Sequence, residues 1–494
     1  LPHPLLYEIN TRCWLRGLSE RTGRPITLAN VPDTEFARWR QLGFTHVWLM
    51  GVWTTGRRSR AIALKSEQLR ALFTEILPGW RKEDVPGSPY AIGNYEVPPE
   101  LGGAAGLKAF REKLNAHGLK LLLDFVSNHA GLDHPWVAER PELFVQSPGR
   151  SPGTFREKTV GGPRWLAHGK DPNFPPWSDT VQLDYRRLET RAAMIELLRS
   201  IAGQCDGIRC DMAMLLLNDV FVRNWERFPA PVPGPASEFW AEAISDVKNI
   251  YPDFLFLAEA YWGLEARLQA LGFDYTYDKC IYDCLVEHRH AELQRHLLEA
   301  APEYVAKSAH FLENHDERRV ATVLSPARHR AAALLMLGLP GMRFLYEGQL
   351  EGWRIQTPVH LARWPGENPD TEISAMYENL LTVLKTSAVG HGKWKILPPK
   401  GWPDNPTAQH FFVIQWQGPR QDFDLVVVNF ASHHSQCVVH PVIEGLAAHN
   451  WEMRDLLGAE IHQRQGGVLE KHGLHLDLPG NGARLFQFMA VKTA

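Results

Sequence analysis

Short apolar runs recur through the first three-quarters of the chain, with helix-period segments between several of them. Eight runs read as strands: Leu5–Asn10, His46–Met50, Leu119–Val126, Ile208–Asp211, Phe254–Glu259, Phe273–Asp278, His310–Asn314 and Arg343–Tyr346. They are near-continuous in apolar character rather than alternating, the pattern of strands covered on both faces. Between them, residues 107–116 carry a helical pattern stopped by Gly118, and residues 191–201 carry another. Eight such β/α units predict an α/β fold, a closed (β/α)8 TIM barrel. The competing fold, an open doubly wound sheet, needs a Gly-rich phosphate loop after an early strand, and the sequence has none.

Two stretches break the rhythm. From Ala130 to Leu183 the chain is rich in Pro, Gly, His and Trp, without clean periodicity. A connection of that length is expected to be a functional insert. After about residue 386, β-rich runs are separated by Gly, Pro and Asp turns: 409–416, 423–430, 436–440 and 483–489. These predict an antiparallel β-sandwich with a structural role, since no aromatic cluster marks a binding module. The expected organisation is a barrel domain from 1–129 and 185–385, an inserted domain from 130–184, and a sandwich domain from 386–494.

Charge collects where the strands end. The third, fourth, fifth and seventh runs finish in Asp124-Phe-Val-Ser-Asn-His129, Gly207-Ile-Arg-Cys-Asp211, Ala258-Glu259 and Asn314-His-Asp316. Unpaired charge inside a strand is costly, whereas one end of a parallel barrel is where its catalytic groups gather. Asp211, Glu259 and Asp316 together point to carboxylate chemistry on a sugar acetal. Arg209 precedes Asp211 by two residues and so shares its strand face. A guanidinium there favours an ionised carboxylate. Apolar and aromatic neighbours of Glu259 favour a protonated one. The bland alternatives are structural ion pairs, including one between Asp316 and Arg318 or Arg319.

These four motifs, in this order, closely resemble those of the α-amylase family, glycoside hydrolase family 13. The resemblance extends to Leu5-Leu-Tyr-Glu-Ile-Asn10 and Gly341-Met-Arg-Phe-Leu-Tyr-Glu-Gly348, and spans about residues 4–385. It implies a retaining α-glycosidase acting on α-1,4-glucans or malto-oligosaccharides. Asp211 is then the nucleophile, Glu259 the acid/base, and Asp316 the group that grips sugar hydroxyls and stabilises the transition state. His129 and His315 are implied sugar contacts, Tyr90 a stacking floor, Arg209 the partner of the nucleophile, and Trp262 a neighbouring contact. Asp124 is expected to be structural. The 130–184 insert occupies the place of the family's domain B.

The chain also departs from the family pattern. Where many relatives carry Lys-His after the nucleophile, this chain has Asp211-Met-Ala-Met-Leu-Leu216. That implies a leaving-group side without those polar grips. No cofactor is expected to be required. Asn128 is the one weak candidate for a structural calcium ligand, and calcium is not the favoured expectation. The segment Val181-Gln-Leu-Asp-Tyr185 matches the family's fifth motif only in part.

Composition adds exclusions. With 494 residues, 44% hydrophobic and 22% charged, the class is globular and multidomain. The formal net charge of −3 and the lack of a Lys/Arg run leave no nucleic-acid or anionic-membrane partner implied. The six cysteines have no zinc spacing and read as free thiols, which fits a cytoplasmic protein. The chain starts at Leu1 without Met, so a processed, secreted form stays open. Two functional alternatives also stay open. One is a transglycosylase or isomerase on the same scaffold (a glucanotransferase or a trehalose-forming enzyme). The other is an inactive sugar-binding scaffold protein, which should lack at least one of the three carboxylates.

Overall fold

Eight parallel strands close on themselves in a computed structural model that describes residues 3–230, 234–418 and 422–491. The outermost residues assigned to the first and last domains therefore lie outside the described residues. The barrel strands are β1 Leu5–Asn10, β2 His46–Met50, β3 Lys120–Val126, β4 Gly207–Asp211, β5 Leu255–Ala258, β6 Tyr275–Tyr277, β7 Ser308–Phe311 and β8 Met342–Tyr346. Each is hydrogen-bonded to its sequence neighbours, and β1 closes the ring against both β2 and β8. All eight predicted strands are present. The predicted helices are too, as Gly103–Ala116 and Leu188–Ala202.

Strand alternation sorts the side chains. Leu6, Trp48, Leu122, Leu257, Tyr277, Phe311 and Phe344 form one cluster inside the ring. Their chain neighbours, such as Tyr7, Val47, Leu49, Leu121, Leu123, Ile208 and Phe256, join the larger core under the surrounding helices. Both faces are thus buried, which explains the unbroken apolar runs.

The insert is more ordered than its sequence suggests. Gln146–Ser147, Thr154–Thr159 and Gly162–Ala167 form a three-stranded antiparallel sheet, and Thr180–Gln182 pairs with His129–Gly131. The hairpin strand Thr154–Thr159 is mostly polar and buries only Thr159, so it has no apolar alternation to read.

In the C-terminal region a six-stranded antiparallel sheet faces a two-stranded one, with a core between them. Phe411, Val413, Phe423, Leu425 and Val427 point into that core. Phe412, Ile414, Trp416, Val426 and Val428 point the other way, into the barrel's core. The helix Pro326–Gly338 receives them: Trp416 Nε1 donates to the Gly338 carbonyl at 2.8 Å. A Cβ on Gly338 would stand 2.7 Å from Val426 Cγ1, so only glycine permits this approach. Four strands here, Lys393–Leu397, Asn450–Asp455, Ile461–Gln465 and Leu474–Leu478, are not among the predicted runs. Ile461–Gln465, an edge strand with no buried residue, shows why.

Candidate active site

Inward-facing positions become polar towards the strands' C-terminal ends. Leu6 is followed by Glu8 and Asn10, Leu122 by Asp124, Gly207 by Arg209 and Asp211, and Leu257 by Glu259. Register places Arg209 beside Asp124 on one flank and Leu257 on the other. An apolar plug thus supports a polar layer.

Arg209 is the hub of that layer and is 1% exposed. Its Nη1 donates to Asp211 Oδ1 at 2.6 Å and its Nη2 to Glu259 Oε2 at 2.8 Å. Aromatic rings enclose the guanidinium, with centroids 5.2 Å away for Tyr90, 5.3 Å for Trp48 and 5.9 Å for Tyr277. Burial pushes the carboxyl groups of Asp211 and Glu259 above the usual carboxylate range, against the pull of Arg209. The sequence expectation for Asp211 is therefore half met: the ion pair forms, but desolvation is the larger effect. Two buried carboxylates sharing one cation hold a proton to higher pH than exposed ones do.

Glu259 is fully hydrogen-bonded. Its Oε2 also accepts the Met212 backbone N–H at 2.8 Å, and its Oε1 accepts the Tyr261 hydroxyl at 2.7 Å. Met212 adopts φ 45°, a left-handed conformation uncommon for a side-chain-bearing residue. That turn aims the N–H at Glu259.

His315 lies between two carboxylates, with Nδ1 on Glu8 and Nε2 3.1 Å from Asp316 Oδ2. Burial disfavours its charge, but Asp316 and Glu8 outweigh that and hold it as imidazolium. Tyr90 stacks on His315 at 5.3 Å and places its hydroxyl 2.7 Å from Nε2. The Asp316 side chain is half exposed. Desolvation would raise its carboxyl, yet His315 and then Arg209 bring it below the ordinary range. Arg319 does not pair with Asp316; it binds Glu313 at 2.7 Å.

His129 stays neutral, pushed down to about 4 by burial, and its Nε2 sits 3.1 Å from the Tyr90 carbonyl. Tyr90 thus links His129, His315 and Arg209 into one constellation with the three carboxylates. Trp262 lies apart from it. It is 46% exposed and lines a cleft of about 600 Å³ with Lys170, Asp219, Val220, Arg223 and Leu264. Asp124 is buried beneath the constellation and tied to its own surroundings. It accepts from Trp48 Nε1 at 3.1 Å and the Gly51 N–H at 2.7 Å, and burial raises it to about 7.

In the turn after Asp211, Ala213, Met214, Leu215 and Leu216 are all buried in the main core, leaving only Met212 partly open. Apolar side chains in a tight turn found a better site inside than in a cleft. The surroundings of Asn128 do not fit a calcium ion. Its carbonyl oxygen, its Oδ1 and the Leu183 carbonyl converge on Gln182 Nε2 at 2.8, 3.0 and 3.1 Å. A neutral amide donor fills the point that a hard cation would need.

Sequence inspection passes over four residues of the constellation: Glu8, Trp48, Tyr261 and Tyr277. Glu8 carried a usable signal, being a lone carboxylate inside an apolar strand. Tyr261 is two residues from Glu259. Trp48 and Tyr277 resemble core residues, and only the closed ring turns them toward Arg209.

Known proteins resemble this chain in sequence and in fold. The α-amylase catalytic-domain model matches residues 39–379. An α-amylase of Haloarcula japonica is 26% identical over 268 residues, covering 53% of this chain and 36% of the relative. An α-1,4-glucan:maltose-1-phosphate maltosyltransferase of Cereibacter sphaeroides is 29% identical over 247 residues, covering 48% of this chain and 34% of the relative. The chain thus matches about a third of the length of these relatives. Among solved structures, a maltogenic α-amylase from Thermotoga neapolitana superposes with TM-score 0.68 at 19% identity, over 98% of both chains. An α-amylase from Lactobacillus plantarum gives 0.68 at 20% identity, over 98% of this chain and 99% of that one. At such identities the likeness is one of fold.

Proposed function

This chain belongs to the α-amylase family, and from that premise we propose that it is a retaining α-glycosidase acting on α-1,4-glucans or malto-oligosaccharides. The observation that carries the proposal is the bridging of Asp211 and Glu259 by one guanidinium. Such sharing favours the close carboxyl spacing of roughly 5–5.5 Å used for retention over the wider gap of an inverting pair.

In the proposed reaction Glu259 protonates the glycosidic oxygen as Asp211 attacks the anomeric carbon. A glycosyl ester forms on Asp211 and the leaving sugar departs with the proton. Glu259 then deprotonates a water that attacks the same carbon, releasing Asp211 and restoring the proton on Glu259. Arg209 steadies the carboxylate charge released in each half. Asp316 and the His315 imidazolium are assigned to sugar hydroxyls and to the oxocarbenium-like transition state. Tyr90 is assigned to the floor under the sugar, His129 to a further hydroxyl, and Trp262 to the sugar beyond the scissile bond.

No cofactor is assigned, since Gln182 supports a metal-independent site. A cytoplasmic location is proposed on the six unpaired cysteines. No helix among the described residues is long and apolar enough to cross a membrane.

Transfer is the second reading, favoured by the maltosyltransferases among the relatives. Hydrolysis and transfer share the ester intermediate and differ in what intercepts it. Chromatography of products from maltoheptaose, starch and trehalose, with and without added glucose or maltose, separates them. Loss of linear products to new acceptor-linked sugars means transfer. No turnover of any α-glucoside would overturn the family assignment of activity and leave a sugar-binding scaffold.

A further inference from the structure

Behind β6, two short helices form a hairpin, Lys279–Val286 and His290–Glu299. Each carries an i,i+4 pair on one face: Cys280 and Cys284 on the first, Glu292 and His296 on the second. The ligand-type atoms of Cys280, Cys284 and Glu292 all lie within 4.8 Å of one another. Cys280 faces both the Cys284 thiol and the His296 ring. His296 Nε2 has no close hydrogen-bond partner and sits 3.5 Å from Asp278 Oδ2. A carboxylate behind a histidine is the usual outer support of a metal-bound imidazole. Cys280 and Glu292 are partly exposed, so the site has an entrance.

We propose that Cys280, Cys284, Glu292 and His296 bind a thiophilic divalent cation of the zinc type, stapling the two helices of the hairpin together next to the end of β6. Two thiolates, a carboxylate and a neutral imidazole form an ordinary tetrahedral set for that ion. Cys280, Cys284 and Glu292 already stand within 4.8 Å of one another, and His296, beside Cys280, has to swing in to complete bonds of about 2.0–2.3 Å. Glu292 must leave its ion pair with Arg289, which also pairs with Glu287. The freed guanidinium then stands beside a cluster of net negative charge. Binding displaces protons from both thiols and from His296, so affinity falls as pH is lowered. The spacing Cys-x3-Cys with Glu-x3-His matches no sequence pattern for zinc because the two pairs meet only once the hairpin folds. Tyr277, the last residue of β6, touches Arg209, which connects the staple to the site.

The test uses the full chain, reduced and freed of metal with chelator. Titration with Zn2+ should show one equivalent bound per chain and a rise in melting temperature. Co2+ should give thiolate charge-transfer bands and the intense visible absorption of a tetrahedral site. Cys280→Ser and Cys284→Ser should each weaken binding by more than about 100-fold. Should either variant fold poorly, wild-type protein serves: Zn2+ should slow alkylation of Cys280 and Cys284, mapped by mass spectrometry. Absence of stoichiometric binding, unchanged affinity in the serine variants, or alkylation at the same rate with and without Zn2+ would each overturn the proposal.

Discussion

Met212 turns its backbone N–H onto Glu259 Oε2 at 2.8 Å, and it does so from φ 45°. The residue after Asp211 therefore fixes the carboxylate that shares Arg209 with Asp211. A β-branched side chain tolerates this backbone least. Met212→Ile should destabilise the protein by about 1–3 kcal/mol more than Met212→Leu, and reduce kcat more. Denaturant unfolding of the two variants decides this; equal stability would mean that the left-handed turn is not held.

Arg209 should control the pH profile as well as the rate. Its charge lowers both Asp211 and Glu259 against their burial. In Arg209→Gln that opposition is gone, so both carboxyl groups rise further. The acid limb of kcat/KM, which reports ionisation of the nucleophile, should move to higher pH, and so should the basic limb. The rate at the optimum should fall by about 100-fold or more, as for loss of a preorganised charge. Unmoved limbs would show that Arg209 only packs.

Tyr261→Phe isolates one hydrogen bond. The hydroxyl on Oε1 favours the ionised form of Glu259. Its removal should raise the basic limb alone and reduce kcat by roughly 10-fold, the scale of one to two hydrogen-bond energies. The pH dependence of kcat on a soluble malto-oligosaccharide checks this.

Much of this site is legible in the amino-acid sequence. Buried strands ending in Asp211 and Glu259 require only the rule that charge does not belong inside a sheet. Other parts depend on closure of the ring. Trp48 and Tyr277 are indistinguishable from core residues until the ring sets them on Arg209. The first strand of the insert's hairpin is mostly polar and only partly buried, so periodicity cannot find it. Met214–Leu216 carry no signal of their own, because an apolar run after a strand-end carboxylate reads equally well as lining or as core, and packing chooses core.

Gln182 should make calcium dispensable. Chelator should leave wild-type kcat/KM and melting temperature unchanged. Gln182→Glu places a carboxylate against three oxygens that now accept from Nε2. It should lower stability by about 1–3 kcal/mol or more, with partial recovery on adding Ca2+. Loss of wild-type activity on chelation, restored by Ca2+, would refute the metal-independent assignment.

Asp84 predicts an acid-sensitive tether. It accepts from Arg16 at 2.6 Å, Arg363 at 2.8 Å and the Arg81 N–H at 2.8 Å. Burial would raise its carboxyl, but these donors outweigh it and bring it to about 2. A depressed carboxylate adds stability that is present above its unfolded pKa of about 3.9 and disappears as pH falls toward about 2. Asp84→Asn should cost about 1–2 kcal/mol near neutrality, allowing for screening of the partly exposed arginines. The difference from wild type should vanish across that window, read by denaturant unfolding at successive pH values.

The central claim is that Asp211 forms a glycosyl ester while Glu259 supplies the proton. Glu259→Gln should still be glycosylated by an α-glycosyl fluoride, whose leaving group needs little protonation, but should turn the ester over slowly. Rapid quenching, proteolysis and mass spectrometry should then find one sugar on the peptide containing Asp211, and none in the Asp211→Asn, Glu259→Gln double variant. An adduct on another residue, or turnover of the fluoride to the inverted β-anomer with no adduct, would contradict the account.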